Sequence, residues 1–389
     1  MAPYDTAVTA DCFAQARHTF NYLIGQLTDP AAGTQTHDHL EELLVTQGRE
    51  LQRQLLQAHL DLRARRERQA VSAARARARR NPAGVVGADG VIRRRVETGH
   101  HRLPATVFGT VTLTRCAWRA PNTANLYPAG EQLSLPGRRH SHGLAPLVVA
   151  EAVRGSFDTA HAAITARCGT VIGKRQIEDL LVVSAQDIDA FYAEQTPQPR
   201  TGEELLVLSF DGKGIAMRPD ALRPATAKAA ARAKRTVRTR LAGGEKPARK
   251  PMATLGVIYD AAWALTLPAG NVHQVITDLK RRADTLPADR RNGIDTTIGY
   301  LANNADHLRY DHALAHGWPI ATGVIEGACR HLIADRFNLA GARWGLAAAE
   351  AMLKLRALST NQDLDRYWAY HLRREHERTH HQHQYALTA

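Results

Sequence analysis

Apolar side chains recur at spacings of three and four residues between positions 12 and 80, as one face of an α-helix requires. The leucines that carry this spacing are Leu40, Leu43, Leu44, Leu51, Leu55 and Leu62. The pattern predicts a long helical region. Its end, from Asp61 to Arg80, is strongly basic.

The pattern changes at "NPAGVVGADGV", where Pro and Gly interrupt the helix. The stretches "TVFG" and "TVTLTRCAW" are rich in β-branched residues and lie on either side of Gly109, which predicts a β-hairpin. From His142 to Glu194, helical periodicity returns and predicts three or four helices. "SFDTAHAAITARCGTVIGKRQIEDLLV" has the short-helix, glycine-turn, basic-helix order of a helix-turn-helix, an order that many small helical bundles share.

A second change of pattern follows "TPQPRTGEE", which predicts a linker near residues 196 to 204. The run "LLVLSFDG" is continuously apolar, as in a buried central strand, and ends in Asp211. "MATLGVIYD" predicts a second strand. From Trp263 to the C-terminus the sequence predicts helices, and Trp344 in "GARWG" is expected to anchor a core.

Length and composition fit a folded chain with a substantial core. The chain has 389 residues, of which 44% are hydrophobic, enough for two domains. No apolar run approaches the roughly 18 residues of a membrane span, and the N-terminus lacks the order of a signal peptide, so we expect a cytoplasmic protein. The cysteines Cys12, Cys116, Cys168 and Cys329 form no CxxC and are expected to be reduced and buried.

The formal charge of +13 is unevenly distributed along the chain. Residues 61–80 hold eight arginines against two acids, and residues 213–250 hold twelve Lys and Arg against two acids. Such blocks are typical of polyanion binding, because each cation that neutralises a phosphate releases a counterion. A solvated helix face or a flexible basic loop is the alternative for either block. Together the blocks favour nucleic acid over an anionic membrane, since no large apolar face accompanies them.

Several segments together resemble one protein family. "LSFDGKGIAMRPDALR", "ATGVIEGACRHLIADRFNLAGARWGLAAAEAMLKLRAL" and "LDRYWAYHLRREHERTH" are similar to the ISKra group of insertion-sequence transposases, which are DDE-type DNA transposases. "GRELQRQLLQAHLDLRA", "RLPATVFGTVTLTR", "RRHSHGL", "RGSFDTA" and "GKRQIEDL" follow in the family's order. The resemblance covers about residues 12 to 380.

The resemblance implies a mainly α fold with a small β component: a helical N-terminal DNA-binding region and a ribonuclease H-like α/β catalytic domain. It also implies two Asp and one Glu that hold Mg²⁺ or Mn²⁺, since hard cations prefer oxygen ligands. By position, Asp211 in "SFDG" is the first acid and Glu326 in "GVIEG" is the last. The alternatives are an Asp-Gly turn at Asp211 and an ordinary helix-surface pair between Glu326 and Arg330.

The predicted partner is double-stranded DNA, at the ends of the mobile element and at its target. The residues predicted to contact DNA are Lys174, Arg175, Lys213, Arg330 and Arg343. Gly323 and Gly327 are expected to let the helix of Glu326 approach the sheet or the DNA. A homo-oligomer in the cytoplasm, associated with the nucleoid, is expected.

The predicted organisation has three regions. Residues 1–80 form a helical, basic region, and 81–200 form a DNA-binding region with a β-hairpin and helices. Residues 201–389 form the ribonuclease H-like domain.

The middle acid of the family is where this sequence departs from the pattern. "GVIYD" runs directly into "AAWALTLPAG", so we expect strands 3 and 4 and the second Asp of the family to be deleted near residues 260–261. An antiparallel neighbour strand would place Asp260 roughly 25 Å from Asp211, at about 3.3 Å per residue. Two hypotheses follow: a transposase that cuts and joins DNA, or a DNA-binding remnant without catalysis that dampens transposition.

Overall fold

The computed structural model describes residues 12–77, 84–196, 205–222, 228, 252–261, 272–284, 291–303, 312, 315, 316, 323–339, 342–380 and 386–388. The chain forms two compact units. Unit 1 contains Met1–Gln195 and Gly345–Ala389, and unit 2 contains Thr196–Trp344. The linker predicted near residues 196 to 204 begins at this boundary. The last 45 residues belong to unit 1, whereas the sequence placed them in the third region.

The described part of the chain is mainly helical, with small antiparallel sheets. Its helices are α1 Ala14–Thr28, α2 His37–Arg77, α3 Pro128–Gln132, α4 Leu144–Arg154, α5 Phe157–Cys168, α6 Lys174–Ser184, α7 Ile188–Ala193, α8 Val272–Asp284, α9 Asn292–Asn303, α10 Gly323–Ala328, α11 Asp335–Phe337, α12 Leu346–Thr360 and α13 Leu364–His380. Its strands are β1 Gly84–Val86, β2 Ile92–Arg93, β3 Arg95–Arg102, β4 Ala105–Thr106, β5 Gly109–Thr110, β6 Leu113–Arg119, β7 Leu205–Gly214, β8 Met252–Ala261 and β9 Ala386–Thr388. The prediction of a mainly α fold with a small β component is confirmed at this level.

The N-terminal part of unit 1 is a hairpin of two helices. A short 3₁₀ turn, Pro30–Thr34, separates α1 from α2. Asp29 accepts a hydrogen bond from the Ala31 amide at 2.8 Å, and Pro30 supplies the fixed φ of a first helical position. The predicted helical region is therefore correct, but it contains a reversal that the leucine spacing did not show.

Helix α2 packs against the strand β6. The Gln57 amide group bonds both ways with the Thr112 backbone, donating to its carbonyl at 2.9 Å and accepting from its amide at 2.7 Å. The Glu67 carboxylate accepts a hydrogen bond from the Cys116 amide at 2.9 Å. Leu60 and Val111 form a small apolar core at this contact. The long helix is thus held to the sheet by apolar packing and by matched polar bonds.

The predicted β-hairpin around Gly109 is only partly correct. Thr106 does pair with Gly109, but in a two-residue ladder between β4 and β5. The longer strand β6 pairs instead with β3, in a register from Arg95↔Arg119 to Arg102↔Leu113. Strand β3 has the sequence "RVETGHHR", whose polar residues do not have strand-like alternation. The sequence therefore did not identify the true partner of β6.

The helical core of unit 1 is built from α4, α5, α6 and α12. Ser156 caps α5 by accepting a hydrogen bond from the Thr159 amide at 3.0 Å, and Gly169, at φ 77°, ends this helix. The four helices contribute a shared set of fully buried apolar side chains: Val148, Val149, Ala152, Ile164, Ile177, Leu181, Met352 and Leu355. The predicted order of short helix, glycine turn and basic helix is present as α5, Gly169 and α6.

A buried polar network attaches α13 to this core. The Asp187 carboxylate accepts hydrogen bonds from His371 Nδ1 at 2.6 Å and from both terminal nitrogens of Arg378, at 2.6 and 2.9 Å. The Tyr367 hydroxyl donates to the Ser184 carbonyl at 2.5 Å. Because Asp187 and His371 are both buried, these bonds fix the position of α13.

Unit 2 contains the two predicted strands, β7 and β8, and they pair as an antiparallel sheet. The register runs from Leu205↔Ala261 to Gly214↔Met252. Strand β7 continues three residues past Asp211, so the expectation that it ends there is wrong. Its expected burial is also wrong at Leu208 and Phe210, which are 53% and 66% exposed. The apolar run formed a strand with one exposed face.

The core of unit 2 surrounds one tryptophan. Trp344 is buried, and its ring centroid lies 4.6 Å from that of Phe337. Its backbone joins residues 216–218, donating to the Ala216 carbonyl at 3.1 Å and accepting from the Arg218 amide at 2.7 Å. The Arg336 guanidinium lies over its ring at 4.6 Å. The prediction that Trp344 anchors a core is confirmed.

Other expectations have mixed outcomes. All four cysteines are free; Cys116, Cys168 and Cys329 are buried as expected, but Cys12 is half-buried. The C-terminal region is not wholly helical, because β9 pairs with β1. Among the described residues, no helix combines the length and apolar content that crossing a membrane requires. Most of the basic block 213–250 lies outside the described residues.

Candidate functional site

The first predicted acid, Asp211, is an exposed carboxylate on β7. Hydrogen bonds from the Cys329 thiol and from the Gly212 amide, the latter at 2.7 Å, lower its pKa below the ordinary value. The nearby Lys213 ammonium acts in the same direction. Asp211 is therefore ionised at neutral pH, as a cation ligand must be.

Cys329 joins the strand of Asp211 to the helix of Glu326. Its thiol is buried, and burial together with the Asp211 carboxylate raises its pKa to about 11. It therefore stays protonated at neutral pH and donates to Asp211. Cys329 begins a π-helical turn, Cys329–Ala334, between α10 and α11. Such turns often occur at functional sites.

The last predicted acid, Glu326, is exposed on α10. It precedes Cys329 by three residues, so the two positions are neighbours on one side of the helix. Helix α10 packs against both β7 and β8. The structure thus brings the helix that carries Glu326 against the strand that carries Asp211, which the resemblance required. Their roles as ligands remain predictions.

Three predicted DNA contacts belong to the same unit. Lys213 lies two residues after Asp211 on β7, on the same side of the strand, and its charge acts on both Asp211 and Cys329. Arg330 is exposed within the π-helical turn, and Arg343 is exposed beside the buried Trp344. Lys213 is therefore a cation that the structure places near Asp211. The predicted contacts of all three with DNA are untested by this geometry.

The two glycines of α10 do not have the role in packing against the sheet that the sequence suggested. A Cβ built on Gly323 or on Gly327 would meet no heavy atom of the described residues within 4 Å. Alanine would therefore fit at either position as far as the described part of the protein is concerned. The helix approaches β7 through the face that carries Ile325 and Cys329, both buried.

The resemblance implies a site for two metal ions, and the described residues fit it poorly. Strand register pairs Asp211 with Leu255, and Asp260 with Leu206. Asp260 is then five residues from the level of Asp211, roughly 17 Å along the strand. This distance is shorter than the predicted 25 Å, because the ladder continues to Gly214 and places Leu255, not Met252, opposite Asp211. It is still far longer than a metal–ligand distance. Within the described ranges, no three His, Cys, Asp or Glu side chains converge as metal ligands.

The other two predicted DNA contacts, Lys174 and Arg175, lie in unit 1. They occupy the first turn of α6, and both are exposed. Lys174 forms an ion pair with Asp158 of the first turn of α5. At the start of α6, the Gln176 side chain accepts a hydrogen bond from the Gly173 amide at 3.0 Å. These cations therefore lie at the start of the second helix of the α5–α6 pair in unit 1, whereas Asp211 and Glu326 belong to unit 2.

Two histidines of unit 1 bond backbone carbonyls. His142 bonds the Ser134 carbonyl through Nε2 at 2.9 Å, and burial lowers the pKa of His142. His380 bonds the Leu135 carbonyl at 2.9 Å, while His381 and His383 lie outside the described residues. The His380 contact attaches α13 to the segment before α4, and the His142 contact lies within that segment. They do not form a metal site in the part of the chain that the structure describes.

Sequence reasoning overlooked Cys329, which it grouped with the inert cysteines. The spacing in "EGAC" places Cys329 one helical turn after Glu326, so the pattern could have indicated a thiol near the acids.

Comparisons with protein-family models, with curated proteins and with solved structures return no match for this chain.

Proposed function

We propose that this chain is an insertion-sequence transposase of the ISKra type that binds double-stranded DNA at the ends of its element. The contact that supports the proposal best is the hydrogen bond from Cys329 to Asp211. It holds the strand of the first predicted acid against the helix of the last one. The helix that carries Glu326 thus packs against the strand that carries Asp211, although the two residues are 115 positions apart. The proposal places the protein in the cytoplasm, with the nucleoid.

Charge supports DNA as the partner. Lys213 accompanies the acids in unit 2, and the first turn of α6 in unit 1 presents Lys174 and Arg175. In helix-turn-helix proteins the second helix of the motif lies in the major groove, and the N-terminal residues of that helix contact the DNA. Together with a formal charge of +13, these surfaces favour a polyanion over a neutral ligand.

The second candidate function is a DNA-binding remnant that does not cut DNA and so acts as an inhibitor of transposition. The strand register favours it, because Asp260 cannot join Asp211 in one metal site. A two-metal displacement needs protein ligands on both ions. Asp211 and Glu326 alone are too few to hold two Mg²⁺ ions firmly. We propose, on this ground, a ribonuclease H-like domain that has lost two strands, and binding without cleavage as its behaviour.

We also propose that the chain forms a homo-oligomer through the α1–α2 hairpin. Large apolar side chains are exposed on this hairpin: Phe20, Tyr22, Ile24, Leu27, Leu44, Val45 and Leu55. Large apolar side chains left exposed on one element are candidates for an interface. Sedimentation velocity is expected to show a species larger than 42.7 kDa that Phe20→Glu converts to monomer. A monomeric wild type would contradict this.

A DNA-binding measurement distinguishes the proposed function from the alternative that the basic surfaces contact only solvent. The full chain is expected to bind duplex DNA taken from either side of its own coding sequence. The logarithm of the affinity should fall linearly with the logarithm of salt concentration, by about 0.9 per phosphate contact. Fluorescence anisotropy in several salt concentrations measures both quantities.

In the same titration, Asp211→Ala tests whether the carboxylate contributes to DNA binding. Phe210→Ala, at the exposed neighbouring residue, is the control. If the carboxylate only holds a metal for chemistry, binding without divalent cations should be unchanged or slightly stronger, because a negative charge is removed. Affinity that does not respond to salt in the wild type would reject DNA as the partner.

A further inference from the structure

Two exposed arginines, Arg138 and Arg139, lie on a loop of unit 1 whose backbone is fixed. The Ala105 amide donates to the Arg139 carbonyl at 2.9 Å, and the Ser141 amide donates to the Ala105 carbonyl at 2.9 Å. Strand β4 therefore holds both sides of His140, with which Ala105 forms a β-bridge. The loop is part of the sheet edge, yet the two arginine side chains extend into solvent.

The start of the same loop is held by Arg102, the last residue of β3. Its guanidinium donates to the carbonyls of Pro136 at 3.1 Å, Gly137 at 3.3 Å and Arg138 at 2.7 Å. Partial burial lowers the pKa of Arg102, and arginine remains charged at neutral pH. A half-buried cation thus orders the backbone beneath two exposed ones, so little backbone entropy remains to be lost when they bind a ligand.

The loop is also linked to the start of α6. Helix α4, which follows the loop, packs against α6. The Gln176 side chain, which accepts the Gly173 amide at the first turn of α6, acts on His140 and raises its pKa. The pKa of His140 is lowered by burial and then by the charges of Arg139 and Arg138. The two guanidinium groups therefore lie near a histidine that touches α6. Lys174 and Arg175 are on that same first turn.

We propose that Arg138 and Arg139, with Lys174 and Arg175, form one phosphate-binding surface that holds the backbone of duplex DNA beside α6. The inference rests on the proposed DNA-binding function and assigns it a place in unit 1. Guanidinium groups suit phosphate because their planar forks donate two parallel bonds to its oxygens. The positive end of α6 adds to this attraction. Asp158, the ion-pair partner of Lys174, opposes it.

The chemistry predicts the kind of recognition as well as its location. Contacts to phosphates fix the position and orientation of a protein on DNA but carry no sequence information. The surface should therefore contribute equally to binding of element ends and of unrelated DNA. Sequence preference would come from side chains of α6 beyond its first turn.

The test is anisotropy of a fluorescein-labelled duplex of about 30 bp and mixed sequence, titrated with the full chain in about 50 to 200 mM salt. Arg138→Ala with Arg139→Ala should lower the salt slope by about 2 and weaken binding at least tenfold. Arg94→Ala with Arg95→Ala is the matched control. It removes two exposed, adjacent arginines of unit 1, and so the same charge, and should leave the slope nearly unchanged.

A second variant is expected to bind DNA more tightly than the wild type, a result that misfolding would not produce. Asp158→Asn removes the carboxylate that pairs with Lys174 and should tighten binding about threefold, with a slope raised by as much as one. Equal losses in the Arg138/Arg139 and Arg94/Arg95 variants, or weaker binding by Asp158→Asn, would overturn the proposed surface. A wild type without salt-dependent binding would instead reject the DNA-binding function itself.

Discussion

Asp187→Ala is expected to destabilise unit 1 by about 3 to 5 kcal/mol, because its removal leaves the buried His371 and the partly buried Arg378 without their shared partner. The Asp187 carboxylate is 5% exposed and accepts bonds from His371 and from both terminal nitrogens of Arg378. Urea titration followed by circular dichroism measures the change as a lower midpoint.

Asp189→Ala is the matched control, two residues along the chain. Asp189 also pairs with a cation, Lys354, at 2.6 Å, but its side chain is 78% exposed. Solvent screens such pairs, so the expected loss is below about 1 kcal/mol. Equal effects of the two substitutions would contradict the buried network.

The same carboxylate gives unit 1 a pH dependence of stability with a definite sign. Burial raises the pKa of Asp187, and the bonds from Arg378 and His371 outweigh this, so the folded-state pKa is lowered. Because the pKa of Asp187 is lower in the folded state, its ionised carboxylate stabilises the fold at pH values above the unfolded-state pKa of about 3.9. This stabilisation is lost as the pH falls through the folded-state pKa. On acidification, the free energy of unfolding of the Asp187→Ala variant should therefore fall less than that of the wild type.

Phe337→Ala is expected to destabilise unit 2 by about 3 to 5 kcal/mol, and Phe210→Ala by less than about 0.5 kcal/mol. Phe337 is fully buried against Trp344, and its removal leaves a cavity. Phe210 is 66% exposed on β7. Urea titration followed by tryptophan fluorescence suits this pair, since Trp344 contacts Phe337 directly.

The pair also tests the corrected description of β7. A buried central strand, as its apolar run suggested, would make Phe210→Ala as damaging as Phe337→Ala. A loss above about 2 kcal/mol at Phe210 would therefore show that this face is covered in solution.

Local pattern predicted helices well and strand partners badly. Leucine spacing gave α2, and Gly169 in "ARCGTVIGKR" gave the turn between α5 and α6, because both depend on neighbours in sequence. Strand β3 was missed because its pairing with β6 depends on a distant register. Strand β9 was missed because three residues pair with β1 from 300 positions away.

The candidate sites divide in the same way. The resemblance selected Asp211 and Glu326, and the structure brings their elements together through Cys329. It could not select the Arg138–Arg139 loop as a neighbour of α6, since His140 and Gln176 are 36 positions apart and follow no helical or strand spacing. Contacts of this kind depend on how separate elements pack.

The measurement that tests the central claim most directly is a binding and strand-cleavage assay with DNA from both flanks of the coding sequence. Wild type and Glu326→Ala are compared with Mg²⁺ and then with Mn²⁺. We predict that both proteins bind the DNA and that neither cuts it, because Asp260 cannot reach Asp211. Cleavage by the wild type that Glu326→Ala abolishes would contradict this account and would require a third ligand from elsewhere in the chain.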